Sequence, residues 1–257
     1  MRLKSKDGGE ETVVISNGEQ TGKAGARDEK DVNIDRLRWA RNSLTPHWLE
    51  PIGALIVTKA HAGFDQGCID DLKGLLRAIT SGKLNELKYL VFDFAHGSKS
   101  ESGGAEGFED LLEANATLIL DAPVITVAWA RSFMAGADLD FALYCSMLVA
   151  EPNARFSFDA DPASLFRLYA ALARKIGFVK TERLIENGKI LDADDMRNLY
   201  LVKEVVEPQE GVAAIERCIR QCVPRYNAAY AIFRAQGMTM PPIDRRFAAR
   251  AADRRRQ

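Results

Sequence analysis

Four aspartates stand beside short runs of small residues in this sequence, and that pairing is where chemistry could sit. Asp138 and Asp140 follow Ala135-Gly136-Ala137 in RSFMAGADLDFALYC, residues 131–145. Asp159 and Asp161 flank Ala160 in FSFDADP, residues 156–162. A second small-residue turn, SESGGAEG, covers residues 100–107. Each turn follows an apolar run and leads into a helix signal, so free backbone N–H groups can converge on one spot where the helix dipole favours negative charge. Two such N–H groups make an oxyanion hole for the polarised carbonyl of a thioester or ester. Two neighbouring carboxylates split their pKa values, leaving one protonated as an acid and one ionised as a base. The plainer uses are helix N-capping for Asp138, a solvated first-turn place for Asp140, and turn chemistry before Pro162 for Asp159 and Asp161.

Strands and helices must carry these turns. PIGALIVTKA (51–60), LKYLVFDFA (87–95) and PVITVAWA (123–130) read as buried strands, MLVAE (147–151) and ARFSF (154–158) as shorter ones. CIDDLKGLLRAI (68–79) and FEDLLEANATLIL (108–120) carry apolar residues at helical spacing. SLFRLYAALARKIG ends at Gly177 and KTERLIENG at Gly188, two expected C-caps. LDADDMRNLYLVKEVVE reads as a short helix and a strand, and three helices are expected from Gln209 onward. Residues 1 to 45 are polar, with a short strand expected at 12–15, and read as a mobile arm. Strands alternating with helices specify an α/β architecture. TKAHAGFDQG, after the first buried strand, lacks the glycine pattern of a dinucleotide turn.

Composition removes other classes. The chain has 257 residues, 47% hydrophobic and 28% charged, with a formal net charge of −1. That size supports a sizeable core, and the charge gives no field for nucleic acid. No apolar run approaches the length of about 18 residues that a membrane span needs. The polar start, MRLKSKDGGEETVV, has no signal-peptide core. Cys68, Cys145, Cys218 and Cys222 form no CxxC and read as reduced thiols of a cytoplasmic protein. His47, His61 and His96 show no ligand spacing, so no metal is expected. Trp129, Phe133 and Phe141 read as core or as the wall of an acyl pocket, with core preferred.

Two longer strings resemble the crotonase superfamily of enoyl-CoA hydratases and isomerases. APVITVAWARSFMAGADLDFALYCSMLVAEPNARFSF resembles its segment of strand, small-residue turn, acidic helix start, Cys, short strand and Ala-x-Phe. RLIENGKILDADDMRNLYLVKEVVEP resembles its later helix, Gly turn, Asp-Ala helix and closing Leu-Val-x-x-Val-Val. EGVAAIERCIRQ and the helices expected after it are most similar to the diffusible-signal-factor synthase branch. The resemblance covers roughly residues 50 to 245. It implies a crotonase fold of repeated ββα units over residues 46–208, then a helical C-terminal region over 209–257 that serves oligomerisation.

The resemblance also implies a site. The first oxyanion donor would be the N–H of Glu101 or Ser102, with Gly103 and Gly104 beside the substrate. The second would be the N–H of Ala137 or Gly136. Ala137 is acceptable as a donor unless the position needs positive φ. A family glutamate normally lies three residues after the second donor. Anchored at Cys145 that position is Asp140, and anchored at Pro123 it is Asp138. The second family glutamate falls on Ala160, flanked by Asp159 and Asp161, and the glycine turn after it is replaced by LFRLYAAL. Aspartate is one methylene shorter than glutamate, so reach is at stake where transfer needs heavy atoms within about 3 Å. Asp138 and Asp140 lie about 200° apart on a helix, so the expectation is that Asp138 caps and Asp140 faces the pocket.

The implied activity is hydration of an enoyl thioester, or hydrolysis of an acyl-carrier thioester, through an enolate. Such an enzyme of fatty acid metabolism uses no cofactor beyond coenzyme A or an acyl carrier as part of its substrate. Arg131 and Phe133 are candidate substrate contacts; the arginines from Arg245 to Arg256 read as a solvated helix face, with contact to the phosphates of coenzyme A as the alternative there and for Arg131. The expected assembly is a homotrimer or dimer of trimers, in which Phe233, Met238 and Phe247 find cover. The competing expectation, prompted by Ala160, is a crotonase-fold binding or assembly protein without hydratase activity.

Overall fold

The computed structural model describes residues 43–84, 86–98, 106–121, 124–159 and 162–221. Among the described residues the first element is strand β1 (Leu44–Leu49), followed after a 3-10 turn by β2 (Ala54–Lys59), antiparallel to it. Helix α1 (Gln66–Thr80) leads to β3 (Tyr89–Phe94), and α2 (Phe108–Asp121) to β4 (Ile125–Ala130). A two-residue strand β5 (Phe133–Met134) precedes α3 (Gly136–Tyr144) and β6 (Met147–Ala150). Then come β7 (Arg155–Phe156), α4 (Pro162–Ile176), α5 (Phe178–Asn187), β8 (Leu191–Asp192), α6 (Ala193–Asn198) and β9 (Glu204–Val205).

The main sheet runs β1-β2-β3-β4-β6-β9, and every pair beyond the first is parallel. Parallel strands are covered on both faces, which is why ALIVTK, YLVFDF and ITVAWA are almost continuously apolar. A smaller sheet joins β5, β7 and β8. Side chains alternate between the faces of a strand. Ile56, Val91, Val127, Trp129 and Val149 point one way and pack against Ala214, Ile215, Cys218 and Ile219 of the helical stretch that starts at residue 212. Phe92 and Phe94 point the other way, where Phe141 of α3 meets their rings at 4.8 and 6.5 Å.

Local chemistry explains the helix ends. Asp65 caps α1 by accepting the Cys68 N–H at 2.7 Å, and Ile69, Leu72, Leu75, Leu76 and Ile79 form its buried face. Gly188 ends α5 in the left-handed conformation, φ 54° and ψ 21°, that stops a helix at glycine, whereas Gly177, between α4 and α5, has φ 82° and ψ 161° and stands at the N-cap of α5.

Two expectations change. The ordered sheet begins at Leu44, inside the stretch assigned to an arm, because Leu44 is buried and Pro46 is tolerated on an edge strand. Phe133 is 38% exposed and not core, whereas Trp129 and Phe141 are buried. Of the stretch from Gln209 onward in which three helices are expected, only residues 209–221 lie among the described residues, with helix over 212–221. The expected strand at 12–15, Cys222, Phe233, Met238, Phe247 and the arginines from Arg245 onward lie outside them, as does all of residues 1–42. Among the described residues no helix is long and apolar enough to cross a membrane.

Candidate active site

The start of α3 is set by a change of backbone hand. Ala135 is extended, and Gly136 follows with φ of 52° before right-handed helix begins. Ala137 has no positive φ, so its side chain costs nothing there. The N–H groups of Gly136 and Ala137 belong to the first helical turn and have no partner within the helix. The loop after β3 reaches this place from the other side. Ser98 N–H donates to the Phe133 carbonyl at 2.8 Å, and Ser98 Oγ accepts the Ala135 N–H at 2.8 Å. A side chain at Gly97 would meet Ser132 Oγ at 2.7 Å and the Phe133 carbonyl at 2.8 Å, so glycine permits this close approach.

Asp138 does not cap α3. The N-cap is Ala135, with no side-chain cap bond, and Asp138 turns inward instead. Its carboxylate is buried against the Lys59 ammonium at the end of β2, itself only 5% exposed. Burial raises the Asp138 pKa, against which the Lys59 charge and hydrogen bonds from Lys59 and Ser98 favour the ionised form. The Lys59 ammonium also lies 4.6 Å from the Phe64 ring centre and 5.0 Å from that of Phe94, close enough for cation–π attraction. A cavity of about 10 Å³ adjoins Lys59, walled by Val57, Phe64, Phe92 and Phe94 among others, room for about one water.

Asp140 points elsewhere, as two residues of helix require. It is buried and pairs with Arg167 Nε of α4 at 3.5 Å. Arg167 also donates to Glu109 Oε1 of α2 at 2.7 Å. The bulky helix that replaces the expected glycine turn thus brings a cation to Asp140. Asp159 is exposed, with its N–H donating to Ser157 Oγ at 3.4 Å. Asp161, with Glu101, Ser102, Gly103 and Gly104, lies outside the described residues.

Arg131 is committed to a second cluster, on the opposite face of the sheet. Its Nε donates to Glu151 at 2.9 Å, its NH1 to Asp93 at 3.3 Å, and its guanidinium lies 4.5 Å from the Trp129 ring centre. Thr58 Oγ1 donates to Asp93 at 3.0 Å. Asp93 and Glu151 are buried, and burial raises both pKa values while Arg131 opposes the rise. Among the described residues no group of three His, Cys, Asp or Glu is placed to hold a metal.

Lys59, Ser98, Asp93, Glu151 and Arg167 were missed by sequence reasoning. The signal for two of them was present. A lysine closing ALIVTK and an aspartate inside YLVFDF are charges in strands buried on both faces, where a charge is found only with a partner.

No protein-family model and no curated protein sequence matches the chain. Its likeness is to solved structures. An enoyl-CoA hydratase of Mycobacterium smegmatis superposes with a TM-score of 0.59 at 20% identity, over 81% of this chain and 88% of that one. A methylmalonyl-CoA decarboxylase gives 0.60 at 15% identity, over 83% and 90%. A protein of the enoyl-CoA hydratase type from Thermobifida fusca, in complex with acetoacetyl-CoA, gives 0.57 at 16% identity, over 83% and 94%. The chain has a crotonase fold. In the crotonase fold of this chain, the loop after β3 and the turn before α3 meet, tied together by Ser98.

Proposed function

We propose that this protein acts on acyl thioesters, hydrating an enoyl thioester through an enolate whose oxygen is held by two backbone amides. The single observation that carries this reading is the start of α3. Gly136, in its left-handed conformation, turns the chain so that the first-turn amides of Gly136 and Ala137 open beside the loop after β3. The donor in that loop would be Glu101 or Ser102. A structure of the same fold holds acetoacetyl-CoA, a thioester whose oxygen would take that place.

Asp140 serves as the base. Its carboxylate lies 3.5 Å from the Arg167 guanidinium, a cation able to offset the charge of a base. The carboxylate takes a proton from water, the resulting hydroxide adds to the β-carbon, and the enolate regains a proton at the α-carbon. Water has then added across the double bond with no other reagent consumed. Asp161 is the nearest sequence candidate to return that proton, while exposed Asp159 is less suited. Hydrolysis of an acyl carrier, as the synthase-like C-terminal segment implies, would use the same hole for a tetrahedral oxyanion. The assembly would be a trimer or a dimer of trimers, consistent with Phe166, Phe178 and Val179 standing exposed on α4 and α5; sedimentation showing only monomer at micromolar concentration would exclude it.

The test is an assay with crotonyl and longer enoyl thioesters, following both loss of the conjugated double bond and release of free thiol. Loss of the double bond supports hydration, and thiol release alone supports hydrolysis. Neither, with folded protein, refutes the reading.

A further inference from the structure

Asp138 sets an electrostatic problem for any anion bound at the start of α3. It is the third residue of that helix, next to Ala137. The helix end offers about half a positive charge, and an ionised carboxylate at that point outweighs it. An ionised Asp138 with no cation beside it would repel the enolate that the neighbouring amides are to receive, although burial raises its pKa and opposes that ionised form.

Lys59 removes the problem. Strand alternation sends Thr58 to one face of the sheet and Lys59 to the other, and the Lys59 ammonium meets Asp138 with both side chains almost wholly out of solvent, 5% and 2% exposed. Its other close neighbours are the faces of Phe64 and Phe94, which hold an ammonium without adding a charge. The Cys68 thiol nearby is pushed up to about 12 by burial and stays neutral. Ser98 completes the arrangement, taking the Ala135 N–H on its hydroxyl while favouring the ionised Asp138. The Lys59 ammonium thus meets the Asp138 carboxylate beside the amides, its charge opposing the rise that burial brings to the carboxyl group.

We propose that Lys59 is a positioning residue of the oxyanion hole: by cancelling the charge of Asp138 it leaves the first-turn amides of α3 free to bind an anion. The inference rests on the reading above, in which those amides hold a thioester oxygen. It gives Asp138 no share in proton transfer. It also explains why the chain tolerates an acid at this position at all, since the acid and the lysine act as one neutral unit. Lys59 has no need to touch the substrate.

The test compares the full-length parent with Lys59→Met and with the double variant Lys59→Met/Asp138→Asn, measuring kcat and KM on the thioester the parent turns over, per folded molecule. Lys59→Met should lower kcat about 100-fold, with KM moved by less than about threefold, because the loss falls on the developing anion. The double variant should regain at least about tenfold of that loss, since the repelling charge is gone. If Lys59→Met does not fold, Lys59→Gln/Asp138→Asn keeps a neutral hydrogen-bonded pair, and its kcat should stay within about tenfold of the parent. A folded double variant as slow as Lys59→Met, or a folded neutral pair more than about 100-fold slow, overturns the inference. A parent inactive on every thioester sinks the functional reading itself, and the two failures are thereby distinct.

Discussion

Thr58 and Lys59 are neighbours in β2 and look into two different electrostatic worlds. On the α3 face, Lys59 meets Asp138, one cation to one anion, at the start of a helix. On the opposite face, Thr58 meets Asp93, and one guanidinium serves two buried carboxylates, Asp93 and Glu151. The first cluster is balanced and lies where an anion could be received. The second is acid-rich, leaves Asp93 Oδ1 without a hydrogen-bond partner, and ties together the ends of β3, β4 and β6.

The acid-rich side should break hardest. Arg131→Met leaves two buried carboxylates without a cation and should cost about 3 kcal/mol, the low end for such pairs because Arg131 is one-third exposed. The loss should depend on pH in a fixed sense. Asp93 and Glu151 already titrate above their usual range through burial, so their protonated forms favour the fold and that contribution is lost as pH rises. Removing Arg131 raises both values further. The stability gap between parent and variant should therefore widen as pH rises from about 4, the ordinary carboxyl value, across the interval in which carboxyl groups held above it ionise. Urea unfolding at the two ends of the interval checks this, and a constant gap would show that the carboxylates are not what Arg131 compensates.

On the α3 face the next largest effect should be on rate. Asp140→Asn should cut turnover by about 10²-fold while the Lys59–Asp138 pair stays intact, so the comparison sharpens into a base on α4's side of the helix and a neutral pair on the sheet side. An active Asp140→Asn variant would move the base elsewhere. Smallest is Gly136→Ala. With φ of 52°, an added methyl group should cost about 1 kcal/mol of stability, read as a lowered melting temperature. No change would mean that the turn relaxes to another backbone form.

The frame of the fold was legible because its signals are local. LKYLVFDFA and PVITVAWA announce buried strands by continuous apolar, β-branched content, and β3 and β4 lie within them. Gly177 and Gly188 announce helix ends by chemistry that acts within one turn. The turn at 135–137 was legible for the same reason. The partners of the acids were not. Lys59 and Asp138 stand 79 positions apart, Arg131 and Asp93 stand 38 apart, and nothing within a turn or strand of either residue specifies the match. Asp138 read as a cap because aspartate near a helix start is the usual local solution; a buried lysine on β2 outcompeted it. β1 was hidden by Pro46, which reads as a breaker unless the strand is known to lie at an edge.

Whether the start of α3 receives the thioester oxygen is tested most directly by Ala137→Pro. Proline is tolerated in a first helical turn, where its missing N–H has no helical partner to lose, so the fold should persist by circular dichroism and thermal unfolding. Turnover of the enoyl thioester should fall by about 3 kcal/mol in transition-state stabilisation, roughly 150-fold, as loss of one oxyanion donor demands. A folded Ala137→Pro variant that turns over substrate at the parent's rate would contradict the claim and leave the turn a structural feature only.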